Sequence, residues 1–302
     1  MARWRSSVIE LAGQDKATLG EGPLWDHRDG RLLWVDIVEG AINILSPSTS
    51  AMRRIELGEN VGCLALTARP DTVVGALRSG WHWINVETGE KRLIAGSPVD
   101  KMCRFNDGAV DRAGRFWVGT LEDGEKNPIG ELFRLDADLT YRSMDRGFLC
   151  SNGIAWSLDQ RWMFFVDSRR NAIYRYRSDV ETGTIGARDL FVDTRDLPGL
   201  PDGIAMDSDG VLWCAFWDGA QVVGFDTDGV PRMTLDVPAL RPTSIAFGGP
   251  ELRTMYVTSA RFGLSAEELR AWPASGSVFE VDRATPGLPS NVFRADPWTD
   301  PR

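Results

Sequence analysis

The chain has 302 residues, 43% of them hydrophobic and 25% charged, with a formal net charge of −9. That is an ordinary globular composition with material for a large core, while the acidic balance, without a basic run or a stripe of aromatic and lysine residues, repels a phosphate backbone and excludes nucleic acid as the expected partner. No run of eighteen apolar residues exists, so no membrane partner is expected. The start carries Arg3 and Arg5 with no apolar stretch behind them, which argues against a secretory signal and for a cytoplasmic protein. Cys63, Cys103, Cys150 and Cys214 form no C-x-x-C pair and read as buried, reduced thiols.

One block recurs along the chain. A small or polar residue and usually a glycine open a short apolar strand, and a turn leads to a second apolar strand that is often rich in tryptophan. The first copy is Glu21-Gly22-Pro23-Leu24-Trp25, leading to Leu32-Leu33-Trp34-Val35-Asp36. The next begin at Val61, Asp107, Asn152, Asp202 and Thr243, with second strands near 73–76, 116–119, 163–167, 212–215 and 255–258. Third strands are predicted at 41–45, 80–84, 131–135, 172–176, 221–225 and 277–281. The block starts lie 40, 46, 45, 50 and 41 residues apart, and a period in the forties built from short strands is the signature of propeller blades. Six starts predict an all-β, six-bladed β-propeller, with residues 1–302 forming one domain. Residues 7–11 are expected to pair into the final blade and close the ring. Only Ala266 to Ala271 reads as helix.

In a propeller the innermost strands face a central channel, so the residues that open the blocks form a column around it: Glu21, Val61, Asp107, Asn152, Asp202 and Thr243. Five of the six carry side-chain oxygen, three are carboxylates, and glycine follows in five. Asp-Gly and Asn-Gly are ordinary turn dipeptides, which accounts for Asp209-Gly210 and Asp228-Gly229 between strands. It accounts less well for Asn152-Gly153 and Asp202-Gly203, which open apolar strands. Carboxylates facing each other across a narrow channel repel, and a bound cation relieves the conflict. Oxygen ligands without Cys or His favour Ca²⁺, Mg²⁺ or Mn²⁺, although Zn²⁺ and Fe²⁺ accept such sets.

At these residues the chain resembles the senescence-marker-protein/gluconolactonase/luciferin-regenerating (regucalcin-like) family. The matching stretches are Leu19 to Trp25, Arg104-Phe105-Asn106-Asp107-Gly108-Ala109-Val110-Asp111, Ser151 to Asp159, Pro201-Asp202-Gly203, Phe247-Gly248-Gly249 and Tyr256 to Arg261. They run in order through nearly the whole chain, and the Thr120-x-x-Asp123-Gly124-Glu125 pattern resembles the bacterial sugar-acid lactonases more than the animal proteins. The resemblance implies a six-bladed propeller holding one divalent metal on Glu21, Asn152 and Asp202. It also implies a substrate contacted by Arg104 and Asn106, and Asp202 as general base. A further substrate-binding carboxylate is expected after Thr120; Glu122 is the first candidate, with Asp123 and Glu125 open. The implied activity is metal-dependent opening of a sugar (aldono)lactone, the metal polarising the carbonyl and activating water. Two alternatives are a phosphotriesterase or arylesterase on the same fold and a non-catalytic calcium-binding regulatory propeller. The expected partner is a small sugar lactone, and the expected assembly a monomer or weak homo-oligomer. No Gly-x-Ser-x-Gly elbow, dinucleotide fingerprint or phosphate loop competes with this reading. His27 and His82 flank tryptophans away from the column and read as structural or surface residues. Trp25, Trp217 and Phe262 are candidates to line the mouth and stack on a sugar face, and Asp218 to reach a hydroxyl or serve a turn.

Overall fold

The computed structural model describes residues 2–3 and 9–295. Its strands form six sheets, each an antiparallel meander, arranged around one axis as a β-propeller. The innermost strands of blades 1 to 6 are Gly20–Asp26, Val61–Thr67, Cys103–Val110, Ser151–Trp156, Leu200–Met206 and Arg241–Gly248. Each begins within four residues of its expected start, and the neighbouring inner strands contact one another around the whole ring.

Closure comes from strand exchange at the chain ends. Ile9–Leu11 pairs antiparallel with Phe279–Asp282 as the outermost strand of blade 6, so the two ends of the chain share one sheet. Residues 7 and 8 of the expected closing segment lie outside the described residues. Ala2–Arg3 adds a parallel pairing at the edge of blade 5. Val292–Phe293 pairs parallel with the inner strand of blade 2, covering an edge that would otherwise be open. The stretch leading to it crosses one mouth of the channel: Gly287 bridges Asp207, and Asn291 Nδ2 donates to the Val110 carbonyl.

Every inner strand shifts register at or beside its column residue, between Glu21 and Leu24, Val61 and Cys63, Phe105 and Gly108, Ser151 and Ile154, Pro201 and Ile204, and Pro242 and Ile245. A bulge of this kind bends a strand and re-aims its side chains; repeated six times, it turns the column toward the axis. The glycines permit the strands to meet there. A Cβ at Gly153 would lie 2.5 Å from the Ile204 nitrogen and 2.8 Å from the Asp202 carbonyl, so blades 4 and 5 reach this separation only without one.

The core lies between the blades, with Trp81, Trp117 and Trp213 at most 1% exposed. The indole N–H groups of Trp117 and Trp213 donate to Asp111 and Asp207, six residues earlier in each case, which satisfies a buried donor at the same place in two blades. Among the described residues there is one α-helix, Ala266–Ala271, where it was expected, and no helix long and apolar enough to cross a membrane. All four cysteines are buried and free.

Candidate metal and substrate site

The polar end of the channel is the one where the inner strands begin. Two aspartates at the ends of second strands fix that entry. Asp36 accepts the backbone N–H groups of Thr18 and Leu19, and Asp167 those of Leu149 and Cys150, so the residues just before Glu21 and Asn152 are held in place. Around the axis the strands then present Glu21 from blade 1, Arg104 and Asn106 from blade 3, Asn152 from blade 4 and Asp202 from blade 5, all lining one cavity of about 130 Å³.

The side chains are ordered by one another. Arg104 Nη1 donates to Asn106 Oδ1 at 2.5 Å, which turns the Asn106 amide nitrogen to the Ser151 carbonyl at 2.8 Å and to Asn152 Oδ1 at 2.7 Å. Asn152 Nδ2 in turn donates to Ser168 Oγ at 2.8 Å. The chain of donors therefore runs from a cation to the Asn152 oxygen and fixes both amides. Asp202 is treated differently: its Oδ1 is buried without a hydrogen-bond partner.

Two buried carboxylates, Glu21 and Asp202, share this cavity, and a third, Asp107, lies near enough on the axis to act on both. Burial, and next the Asp107 carboxylate, push Glu21 up to about 8. Burial followed by Glu21, Asp107 and Glu125 pushes Asp202 well above the ordinary carboxylate range, and burial raises Asp107 to about 6. Gly22 N–H and Arg104 oppose the shift at Glu21 without cancelling it. Such a cluster is a conflict between like charges in a poorly solvated place.

The donor set fits a hard divalent cation. It offers two carboxylates and an amide oxygen, one carboxylate oxygen is buried and unpartnered, and positive charge at this point removes the repulsion. Among the described residues no group of three His, Cys, Asp or Glu is placed to hold an ion, and the set that would hold one includes the amide of Asn152.

Of the residues expected from the sequence, Glu21, Arg104, Asn106, Asn152 and Asp202 come together in the cavity. Glu122 does not join them. Its carboxylate accepts the Asn127 side-chain amide at 2.6 Å and the backbone N–H groups of Lys126 and Asn127, and these bonds, the Asn127 side chain first, hold it below the ordinary carboxylate range. Asp123 pairs with Arg78. The carboxylate that this loop brings to the cavity is Glu125, at φ +50, a conformation in which non-glycine residues are uncommon. It accepts Arg169 Nε at 2.5 Å, and Arg169 itself lines the cavity from the turn Ser168–Arg170.

Nothing in a Ser-Arg-Arg following a strand separates Arg169 from a solvated charge, whereas Glu125 is marked by its position at the end of a tight Asp-Gly turn. Trp217 and Phe262 supply apolar wall. Trp25 instead stacks on Tyr256, with ring centroids 5.7 Å apart, because it sits near the far end of its strand. His27 and His82 lie outside the cavity, and Asp218 accepts Arg241 Nε.

Comparison with known proteins agrees with this architecture. The family described as SMP-30/Gluconolactonase/LRE-like region matches residues 19–261. A 6-deoxy-6-sulfogluconolactonase of Pseudomonas putida is 38% identical over 290 residues, 95% of this chain and 99% of that protein. A pentonolactonase of Haloferax volcanii is 38% identical over 283 residues, 92% and 94% of the two chains. The crystal structure of a calcium-binding protein, regucalcin, from Agrobacterium tumefaciens superposes with a TM-score of 0.91 at 27% identity, covering 97% of this chain and 98% of that one. With a family match across most of its length and two enzymes at 38% identity, the chain is an enzyme and belongs to the SMP-30/Gluconolactonase/LRE-like family.

Proposed function

We propose that this chain is a metal-dependent lactonase that opens a small sugar (aldono)lactone to its sugar acid. The observation that carries the reading is the buried, unpartnered Oδ1 of Asp202 beside Glu21 and Asn152, under the fixed Arg104–Asn106 pair. The relatives named lactonases support the reaction class, and four free cysteines agree with a cytoplasmic setting.

Glu21, Asn152 and Asp202 are the residues that would hold the ion. A divalent cation bound there supplies Lewis acidity toward the lactone carbonyl and lowers the pKa of bound water. The chain's own groups account for the rest. Arg104 and Glu125 receive ring hydroxyls as donor and acceptor, which orients the carbonyl toward the axis. Asn106, held by Arg104 on one side and Asn152 on the other, keeps that orientation. Asp202 Oδ1 accepts a proton from the water that attacks the carbonyl carbon. A carbon–oxygen bond forms there, the bond to the ring oxygen breaks, and the proton passes to the departing ring oxygen, leaving the open-chain acid.

The test is acid release at constant pH from a panel of glucono-, xylono-, arabinono- and galactonolactones beside an aryl ester and a phosphotriester. Protein stripped with chelator and reloaded with single metals is used. Ion-dependent opening of at least one aldonolactone, lost in Asn152→Ala, is the expected result. Turnover confined to the aryl ester or phosphotriester would replace the lactonase by the esterase reading, and ion binding without turnover of any substrate by the regulatory one.

A further inference from the structure

The aromatic wall of the cavity is held by a side chain outside the ion set and the polar floor. Trp217 ends the second strand of blade 5, and Phe262 follows the second strand of blade 6. Arg241, the first residue of the inner strand of blade 6, reaches both. Its guanidinium carbon lies 4.7 Å from the Trp217 ring centroid, its Nε donates to Asp218 Oδ1 at 2.6 Å, and its Nη1 donates to the Phe262 carbonyl. One planar cation therefore stacks on the indole, anchors the residue that follows it, and carries the backbone of the other aromatic. The side chain is only 14% exposed.

Both ends of this arrangement are otherwise constrained. Asp218 sits at φ +57, which side chains other than glycine seldom adopt, so the turn after Trp217 is held rather than relaxed. The Phe262 N–H donates to the Thr18 carbonyl at 2.8 Å, and the loop ends in a capping box between Ser265 and Glu268. Phe262 nevertheless remains 47% exposed as a residue. Phe262 and Trp217 line the cavity together beside Arg104, Asn106 and Glu125, and an exposed apolar patch rimmed by polar groups is the character of a ligand-binding groove.

We propose that Arg241 is a positioning residue that sets Trp217 and Phe262 as a rigid wall against which the C–H face of a lactone ring packs, opposite Arg104, Asn106 and Glu125. The inference rests on the lactonase reading and refines its substrate class: the wall accepts a ring with one face free of projecting hydroxyls. Packing against such a wall is the same in ground and transition states, so its loss appears in KM and not in kcat. Lysine cannot replace Arg241, because a compact ammonium neither stacks flat on the indole nor forks to two acceptors.

The experiment compares wild type, Arg241→Gln, Arg241→Lys, Asp218→Asn, Trp217→Ala and the Arg241→Gln/Trp217→Ala pair. KM for the best aldonolactone is expected to rise about three- to tenfold in Arg241→Gln, the range an aromatic contact of this kind is worth, with kcat within about twofold. Arg241→Lys should not restore it, Asp218→Asn should move KM in the same direction, and adding Arg241→Gln to Trp217→Ala should raise KM by less than Arg241→Gln does in wild type, because only the Phe262 side of the wall is left to lose. Independently of turnover, acrylamide quenching of Trp217 fluorescence, taken as the difference between each protein and its Trp217→Phe counterpart, should increase in Arg241→Gln. Losses that multiply in the double variant, a fall in kcat at constant KM, or unchanged quenching of Trp217 would overturn the proposal. If wild type opens no lactone, the lactonase reading fails and the quenching result alone decides whether Arg241 sets the wall.

Discussion

Glu21 offers the sharpest perturbation of the charge cluster. In the metal-free protein its carboxyl is pushed from an ordinary 4.5 to about 8, by burial first and then by Asp107. A group whose affinity for protons is higher in the folded state stabilises the fold below its ordinary pKa, and that contribution disappears as pH rises toward the folded value. Metal-free wild type should therefore lose stability between about pH 4.5 and 8. At roughly 1.4 kcal/mol per pH unit, ionising a carboxyl held near 8 costs the fold up to about 5 kcal/mol. At about 2 °C per kcal/mol for a chain of this size, that is on the order of 10 °C in Tm. Glu21→Gln keeps the shape and removes the charge, so the metal-free variant should melt higher than wild type at pH 8 and show a flatter dependence on pH. The same substitution removes an ion ligand, so the rise in Tm on adding divalent metal, large in wild type, should nearly vanish. Thermal denaturation of chelated and reloaded protein from pH 5 to pH 8, followed by circular dichroism, measures all of this. A metal-free Glu21→Gln protein no more stable than wild type at pH 8, with its metal response intact, would refute the reasoning.

Three further outcomes follow from the site. Asp202→Asn, still an oxygen ligand, should bind the ion by calorimetry yet open lactone about 10²-fold or more slowly; full activity with metal bound removes the general-base role. Glu125→Gln should raise KM several-fold, whereas Glu122→Gln should chiefly increase proteolytic cleavage of the loop at 122–127; the reverse pattern would return the substrate contact to Glu122. Gly153→Ala places a Cβ against the Ile204 nitrogen and the Asp202 carbonyl, overpacking that typically costs about 1–3 kcal/mol. Its Tm should fall and its ion affinity weaken together, and an unchanged Tm would mean that blades 4 and 5 are not in contact there.

The propeller was legible because its information is repeated. Six copies of a short apolar strand, five of them opened by a residue followed by glycine, cannot each bury a face except against their neighbours, and the same six opening positions mark where the bulges fall. Glu21, Asp107, Asn152 and Asp202 stood out because carboxylates and amides opening apolar strands have no packing role to explain them, and the family resemblance, not the pattern, set Glu21, Asn152 and Asp202 apart from Asp107. The loop after Thr120 was harder. Glu122, Asp123 and Glu125 are chemically alike, and only the backbone path reveals that the first caps its own loop, the second meets Arg78 and the third faces the cavity. Arg169 and Arg241 act through contacts with distant segments, Glu125 and Trp217 respectively, which no local pattern records. Trp25 shows the converse: a tryptophan beside a column residue attracts a functional reading, although its place down the strand puts it against Tyr256.

The most direct test of the account is a titration of chelated protein with a single divalent metal, measuring bound ion per chain and aldonolactone opening in the same samples. The account predicts activity that rises in proportion to occupancy and levels off at one ion per chain. Full activity in the metal-free protein, or complete occupancy with no lactone opened, would contradict it.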